Sequence, residues 1–550
     1  MGKYVIGIDF GTLSGRTVIV DTATGQVLAS AVYEYPHAVM DQTMPDGTPL
    51  PDGWALQHPR DYLEVLDTTI PHALNESGIS AQDVVAIGVD FTTSTLLPTL
   101  RDGTPLCFLD EYENNPHAYV KLWKHHGAQE QANRMTEVAR QRKEPWLDSC
   151  GGKIFSEWAL PKLWELLERA PDIYEAMDAF VEAGDWIVWQ LCGKWVHNAC
   201  VAGIKSLYRT ATGFPSEDYM AALDPRLRHA ITDKIWAPVA PIFSRAGSLT
   251  PAMADRLGLQ AGITVAVSIG DAHACGPASG ITQPGQMLAI IGTSSCYLTL
   301  SKELQLIPGI SGAAEDCVLP GYWGYEAGQT CVGDLFAWAA KTLMTESYAE
   351  KAHALGMSDQ QYLTELAKIQ RPGAHGLVAL DWWNGNRSIL MDSDLTGLLV
   401  GMTLNTRPED IYRAMIEATA FGARTVVENY AAHDVQVSEL FVTGGICKKN
   451  PMLMQIYADV LKLPMRVVST TQGGALGSAI IAATAAGIYP TAVDAIKAMA
   501  SPCDTVYTPI PENTAIYDRL YGIYRQLHDA FGKEGKALMC QLNRLKADNK

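Results

Sequence analysis

The chain has 550 residues, too many for one compact core, so two or more domains are expected. Hydrophobic residues make up 47% and charged residues 19%, a globular balance and not that of a disordered polymer. With 42 Lys and Arg against 60 Asp and Glu, the net charge of −18 excludes a broad nucleic-acid or anionic-membrane surface. It does not exclude a small anion held by a few directed donors.

From the first residues the chain runs into an apolar β pattern, without a charged leader and cleavage site. Gly2 suggests myristoylation, but Ile6 stands where that signal needs a hydroxyl. A cytoplasmic protein with no membrane partner is expected. Strand candidates at 4–9 and 17–21 flank a turn over 11–16, and a second turn at Thr24-Gly25 leads into a strand at 27–35. An amphipathic helix at 61–74 and a β-branched strand at 84–90 follow, giving an α/β layout. The Pro/Gly-rich stretch 43–59 and the polar stretch 110–150 are excursions, either bordering a cleft or lying on the surface.

The same order restarts near Gly262, with a strand at 263–269 and another at 287–291. The second runs through Gly292-Thr293-Ser294-Ser295 into a strand at 297–300. A long helix at 408–433, a strand at 440–442 ending in Thr443-Gly444-Gly445, and a small-residue helix at 474–486 fit this second copy. Gly477, Ser478 and Thr484 interrupt the apolar run there, which reads as a buried helix and not a membrane span. Duplicated domains at 1–261 and 262–550 are therefore expected. The eleven cysteines form no C-x-x-C pair and read as reduced thiols, with Cys275 and Cys296 filling the core.

Four segments carry candidate chemistry. Asp9 ends an apolar strand, where a carboxylate needs a cation or a metal. Gly11, Thr12, Ser14 and Gly15 follow as a donor-rich turn, and Arg16 adds a planar cation suited to phosphate. Gly292 and Thr293 offer the same turn without the acid. Either alone reads first as a plain hairpin; two at matching places suggest a clamp on a polyphosphate. Gly444 and Gly445, before Asn450, let a base or ribose approach the backbone, or simply turn the chain into a helix. Asp271, after an apolar strand and before a helix, suits a general base aiming a hydroxyl at a phosphate, with helix capping as the alternative. His273 is a second polar contact or a buried, satisfied histidine.

These residues resemble the sugar kinase, actin and chaperone-ATPase superfamily, whose duplicated ribonuclease H-like α/β domains enclose a cleft. Within it the sequence resembles the FGGY carbohydrate kinases. Asp394-Leu-Thr-Gly397 through Gly401-Met402, and Asp410 through Glu417, fit the C-terminal signature; Pro161-Lys162-Leu163 beside Trp164 resembles the N-terminal one. Gln57-His58-Pro59, Leu122-Trp123-Lys124, Ser156-Glu157-Trp158, Gly203-Ile-Lys205, Gly324 through Gln329 and Ala379 through Gly385 narrow the likeness to the bacterial L-ribulokinases. The Met-His-Gly element of xylulokinases is absent, and Asp90-Phe-Thr-Thr93 stands there.

The resemblance implies ATP and Mg²⁺ as co-substrate and cofactor. It implies phosphorylation of L-ribulose to L-ribulose 5-phosphate, the arabinose-degrading reaction. By position it implies Asp271 as general base, Asp9 as metal-linked acid, and Gly11, Thr12, Ser14, Arg16, Gly292 and Thr293 on the phosphates. Gly444, Gly445 and Asn450 fall at the adenosine, and Thr93, Lys205, Asp271, Glu326 and Gln329 at the sugar. Leu13 departs from the usual polar residue, and His125 and Gly127 from the usual acid and hydroxyl, so the loop at Leu122-Trp123-Lys124 has no assigned role. Another pentulose such as D-ribulose or D-xylulose, or an actin-like ATPase, stays open at this point, as does the oligomeric state, a homodimer included.

Overall fold

The computed structural model describes residues 2–548. A first sheet is built from β1 (Tyr4–Phe10), β2 (Ser14–Asp21), β3 (Val27–Glu34), β4 (Val84–Phe91), β5 (Arg245–Ser248), β6 (Thr264–Ala266) and β7 (Ile269–Gly270). Its order is β3-β2-β1-β4-β6-β5, with β7 also beside β4. A second sheet holds β8 (Gly285–Ile291), β9 (Ser295–Ser301), β10 (Gly312–Glu315), β11 (Trp323–Gln329), β12 (Val437–Thr443), β13 (Met465–Val468) and β14 (Cys503–Tyr507). Its order is β10-β11-β9-β8-β12-β13-β14.

The two sheets correspond over six strands each, with β7 and β10 unmatched. In the first, a three-stranded antiparallel meander leads to parallel β1, β4 and β6 and an antiparallel edge, β5. In the second, β8, β9 and β11 form the meander, β8, β12 and β13 run parallel, and β14 is the antiparallel edge. The expected duplication is present, but the restart is not at Gly262. The strand expected at 263–269 forms as β6 and β7, and both pair with β4 in the first sheet. An apolar run of this length fits a buried parallel strand of either copy, and only the pairing decides which. The second sheet begins with β8.

Helix α1 (Pro59–Ser77) packs against β2 and β3. It extends beyond the expected 61–74 because Pro59 occupies its first turn, the His58 side chain accepts from Arg60 N–H, and Gly78 closes it at φ 68°. Further helices that matter for the site are α2 (Ala199–Lys205), α3 (Asp271–Ala278), α4 (Pro408–Ala432), α5 (Gly445–Lys449), α6 (Pro451–Leu461) and α7 (Gly473–Ala485).

Helices α3 and α7 pack on each other between the sheets. The apolar cluster there joins Val5, Val18 and Ala86 of the first sheet to Leu288 and Leu298 of the second through Ala475, Ala479 and Ile480. The helix lies so close to β1 and β4 that a Cβ at Gly7 would come within 1.9 Å of the Ala475 carbonyl oxygen. One at Gly88 would come within 2.0 Å of that of Ser478. Glycine is required at both crossings. No helix among the described residues is long and apolar enough to cross a membrane. The eleven cysteines are free, and Cys275 and Cys296 are part-buried and pack against the apolar cluster between the sheets.

The two excursions from the first half each contribute to a small four-stranded sheet, Leu56–Gln57 from one pairing with Val120–Lys121 from the other. This sheet carries Gln57 and Trp123 up to the first turn, where Gln57 is buried and Trp123 lines a small cavity.

Candidate active site

Parallel strands aim their carboxyl ends the same way, and ligands bind beyond such ends. Three acids stand there in the first half. Asp9 and Asp90 are register partners on β1 and β4, and Asp271 follows β7, whose Gly270 pairs with Phe91 of β4. Asp90 is fully buried. Ser478 of α7 donates to its Oδ2 at 2.6 Å. Gly474, in the first turn of α7, abuts both carboxylates: a Cβ there would lie 3.0 Å from Asp90 Oδ1 and 3.1 Å from the Asp9 carboxyl carbon. Burial pushes both carboxyls up; the Asp9 charge and the hydrogen bond between the two acids push Asp90 further, while that bond and then Arg16, opposite Asp9 on β2, draw Asp9 back down. Two neighbouring carboxyl groups at the strand ends fit the hard oxygen donors that Mg²⁺ takes alongside phosphates.

The two glycine–hydroxyl turns occupy equivalent places. Gly11 N–H bonds Ser14 O across the β1–β2 turn, and Gly292 N–H bonds Ser294 O across the β8–β9 turn, both at 2.9 Å. Ser14 and Arg16 are already within β2, so the first turn is shorter than the expected 11–16. The second turn is braced from behind, with Val332 N–H on Thr293 O and Gly333 N–H on Gly292 O, both at 2.9 Å. The first is braced by Gln57 Nε2 on Thr12 O at 2.7 Å and by Trp123 Nε1 on Thr12 Oγ1 at 3.1 Å.

At the end of β12, Gly444 takes φ 113°, and a Cβ would sit 2.2 Å from the Ile291 carbonyl oxygen, so only glycine fits. Gly445 starts α5 with open space around it. Asn450 caps α6, its side chain accepting from Leu453 N–H at 3.0 Å. Gly445, Lys449 and Asn450 line one wall of a cavity of about 950 Å³ whose other wall includes Gly356, Gln360 and Thr364. That is ample for a nucleoside.

Asp271 is the first residue of α3, with Gly270 at the cap position, and its Oδ1 accepts only from the adjacent Ala272 N–H at 2.8 Å. It does not cap the helix in the usual way. Burial, reinforced by Asp9 and Glu326, pushes its carboxyl up to about 7 against the Ala272 bond and Lys205, the value a base needs near neutral pH.

Beside it, Lys205 at the end of α2 forms a 2.8 Å ion pair with Glu326 of β11, both side chains 8% exposed. Burial works against the Glu326 carboxylate, but Lys205, His273 and Arg387 together bring it down to about 2. His273 is buried, 3.8 Å from Glu326, with neither ring nitrogen hydrogen-bonded among the described residues; burial lowers it to about 4 and keeps it neutral. Thr93 and Lys205 line a small cavity with Trp123, Phe155, Trp158 and Arg387. Gln329 does not join them. Its amide accepts from Tyr297 OH and donates to Asp381 at 2.7 Å and Thr419 O at 2.9 Å, in a core network 4% exposed. The resemblance implied a place at the sugar, but Gln329 lies three residues beyond Glu326 on β11, and an odd spacing along a strand puts two side chains on opposite faces. Sequence reasoning missed Asp90, Arg387 and the Trp123 contact. Only Asp90 left a signal, as an acid inside an apolar strand.

A duplicated α/β fold with matched donor turns, strand-end acids and a nucleoside-sized cavity defines a phosphotransferase of the sugar-kinase class. Residues 4–275 match the N-terminal domain, and residues 287–486 the C-terminal domain, of the FGGY family of carbohydrate kinases. The chain belongs to that family and is an ATP-dependent carbohydrate kinase. It is 48% identical over 539 residues to a ribulokinase of Bacillus licheniformis, covering 97% of this chain and 98% of that one. It is also 47% identical over 534 residues to a ribulokinase of Mycolicibacterium smegmatis, covering 96% and 94%. Its fold is that of the xylulose kinase from Rhodospirillum rubrum, at a TM-score of 0.79 and 23% identity over 96% of this chain and 99% of that one.

Proposed function

We propose that this kinase transfers the γ-phosphoryl group of Mg-ATP to the terminal hydroxyl of L-ribulose, giving L-ribulose 5-phosphate in the cytoplasm. The observation that carries the reading is the small cavity lined by Thr93 and Lys205, whose Lys205–Glu326 ion pair acts on the Asp271 carboxyl, in a chain nearly half identical to ribulokinases along its length. A polyol needs such a set of donors and acceptors, and a wrong epimer leaves some of them unpaired.

In this reading Asp271 accepts the hydroxyl proton and aims the oxygen at the γ-phosphorus. Gly11, Thr12, Ser14, Gly292 and Thr293 hold the phosphates, and Arg16 adds charge. Gly444, Gly445 and Asn450 frame the adenosine. Asp9, with Asp90 beside it, would hold Mg²⁺, which when bound neutralises phosphate charge. The division of labour gives the first domain the metal-linked acid and the second the adenosine cavity, with the sugar walled from both halves. Water is kept out when the halves close.

Coupled-assay rates of ADP release across L-ribulose, D-ribulose, L-xylulose and D-xylulose test the substrate. The expected result is the highest kcat/KM for L-ribulose. Equal efficiency on all four would leave a general pentulose kinase, and nucleotide-dependent polymerisation without sugar-stimulated release would leave an actin-like ATPase.

A further inference from the structure

Thr12 is held by two side chains of opposite character. Gln57 Nε2 donates to its carbonyl and is itself fixed by Tyr62 OH on Gln57 Oε1 at 2.7 Å, with both residues fully buried. That brace is permanent. Trp123, on the other hand, is 38% exposed, donates from Nε1 to Thr12 Oγ1 at 3.1 Å, and forms part of the wall of the small cavity with Thr93, Lys205 and Arg387. One ring thus touches both the phosphate turn and the sugar cavity.

The direction of this hydrogen bond matters. An indole N–H can only donate, so Thr12 Oγ1 accepts, and the hydroxyl's own proton is left to donate elsewhere. Toward the turn, the partner that suits it is a phosphate oxygen, and a hydroxyl that accepts one hydrogen bond donates a stronger one.

We propose that Trp123 is a positioning residue that makes the grip of the first turn on the triphosphate depend on occupancy of the sugar cavity. The inference rests on the kinase reading above and assigns a role to the Leu122-Trp123-Lys124 loop. A ketopentose packed against the indole holds the ring in the orientation that bonds Thr12. With the cavity empty, the part-exposed ring has that hydrogen bond but no sugar packed against it, and the hydroxyl is less often set for phosphate. A ligand shifts such an equilibrium only by its differential contact with the two ring positions, and the coupling is reciprocal.

The test is calorimetric binding of the Mg²⁺ complex of a non-hydrolysable ATP analogue to the full chain, with and without the ketopentose turned over best. In the wild type the sugar is expected to tighten nucleotide binding about fivefold, the worth of one hydrogen bond. Trp123→Phe keeps the ring and loses the donor; its nucleotide affinity is expected to match the sugar-free wild type whether or not sugar is present. Thr12→Ser is expected to retain the gain and Thr12→Val to lose it, with thermal melts showing that each variant folds. A full fivefold gain in Trp123→Phe, or no gain in the wild type, overturns the proposal. If no ketopentose is turned over, the kinase reading fails first, visibly in the rate assay, and the coupling falls with it.

Discussion

Lys205 and Glu326 come from opposite halves of the chain, one ending α2 and the other within β11, and form a buried 2.8 Å ion pair beside Asp271. Removing one member of such a pair strands the other without a counter-charge, a loss of ~3–5 kcal/mol. Glu326→Gln is expected to lower stability in denaturant melts and to reduce kcat/KM for the sugar far more than nucleotide affinity. The double variant Lys205→Met with Glu326→Leu is expected to recover stability but not activity. If activity returns with stability, the pair is structural and not part of sugar recognition.

Asp271→Asn keeps shape and removes the base. Turnover is expected to fall on the order of 10²–10⁴-fold with nucleotide affinity nearly unchanged, since general base catalysis is worth that much. A variant with wild-type kcat would remove Asp271 from the reaction.

Because burial holds the Asp271 carboxyl near 7, the wild-type kcat/KM is expected to rise with pH through about 7, as the base loses its proton. The same shift has a stability sign. The folded state binds this proton more tightly than the unfolded chain, so the group's contribution to stability is greatest at low pH and is lost as pH rises toward 7. Asp271→Asn is therefore expected to melt higher than the wild type at pH 8 and at the same temperature near pH 4. A profile flat between pH 6 and 8 contradicts both expectations.

Asp90→Asn preserves the acceptor for Ser478 and removes the second carboxylate beside Asp9. About tenfold more Mg²⁺ is expected for half-saturation of nucleotide binding, the usual weight of a supporting group next to a metal ligand. Unchanged Mg²⁺ dependence would confine Asp90 to packing.

Gly444 and Gly445 are adjacent but unequal. Gly444→Ala must place a methyl 2.2 Å from the Ile291 carbonyl oxygen at φ 113°, and is expected to unfold the β12–α5 turn and abolish nucleotide binding. Gly445→Ala meets nothing within 4 Å, so it is expected to melt like the wild type. Its nucleotide affinity alone then reports how closely the adenosine approaches the backbone.

Much of this was readable before folding. The meanders, the paired turns and the long helix α4 follow from alternation, glycine placement and 3.6-residue periodicity, which are local. What escaped was set by pairing over long distances. The strand at 263–269 has the composition of either sheet, and only its bonds to β4 assign it to the first. Gln329 sits in the right segment but faces the core, a question of strand phase that a short motif does not carry. Trp123 reaches Thr12 across more than a hundred residues, through a small sheet whose strands are too short to register as a pattern. Asp90 was visible as an oddity, an acid in an apolar strand, without its partner being apparent.

Gly7 and Gly88 also bear on how the protein is made. The strands that carry them leave the ribosome early, yet the helix that lies on them, α7, comes near the end of the chain. At ordinary synthesis rates the interval is on the order of half a minute. During it Val5, Val18 and Ala86 have no permanent cover, and the nascent first domain presents an apolar face suited to a chaperone. The first domain is encoded first but is completed almost last.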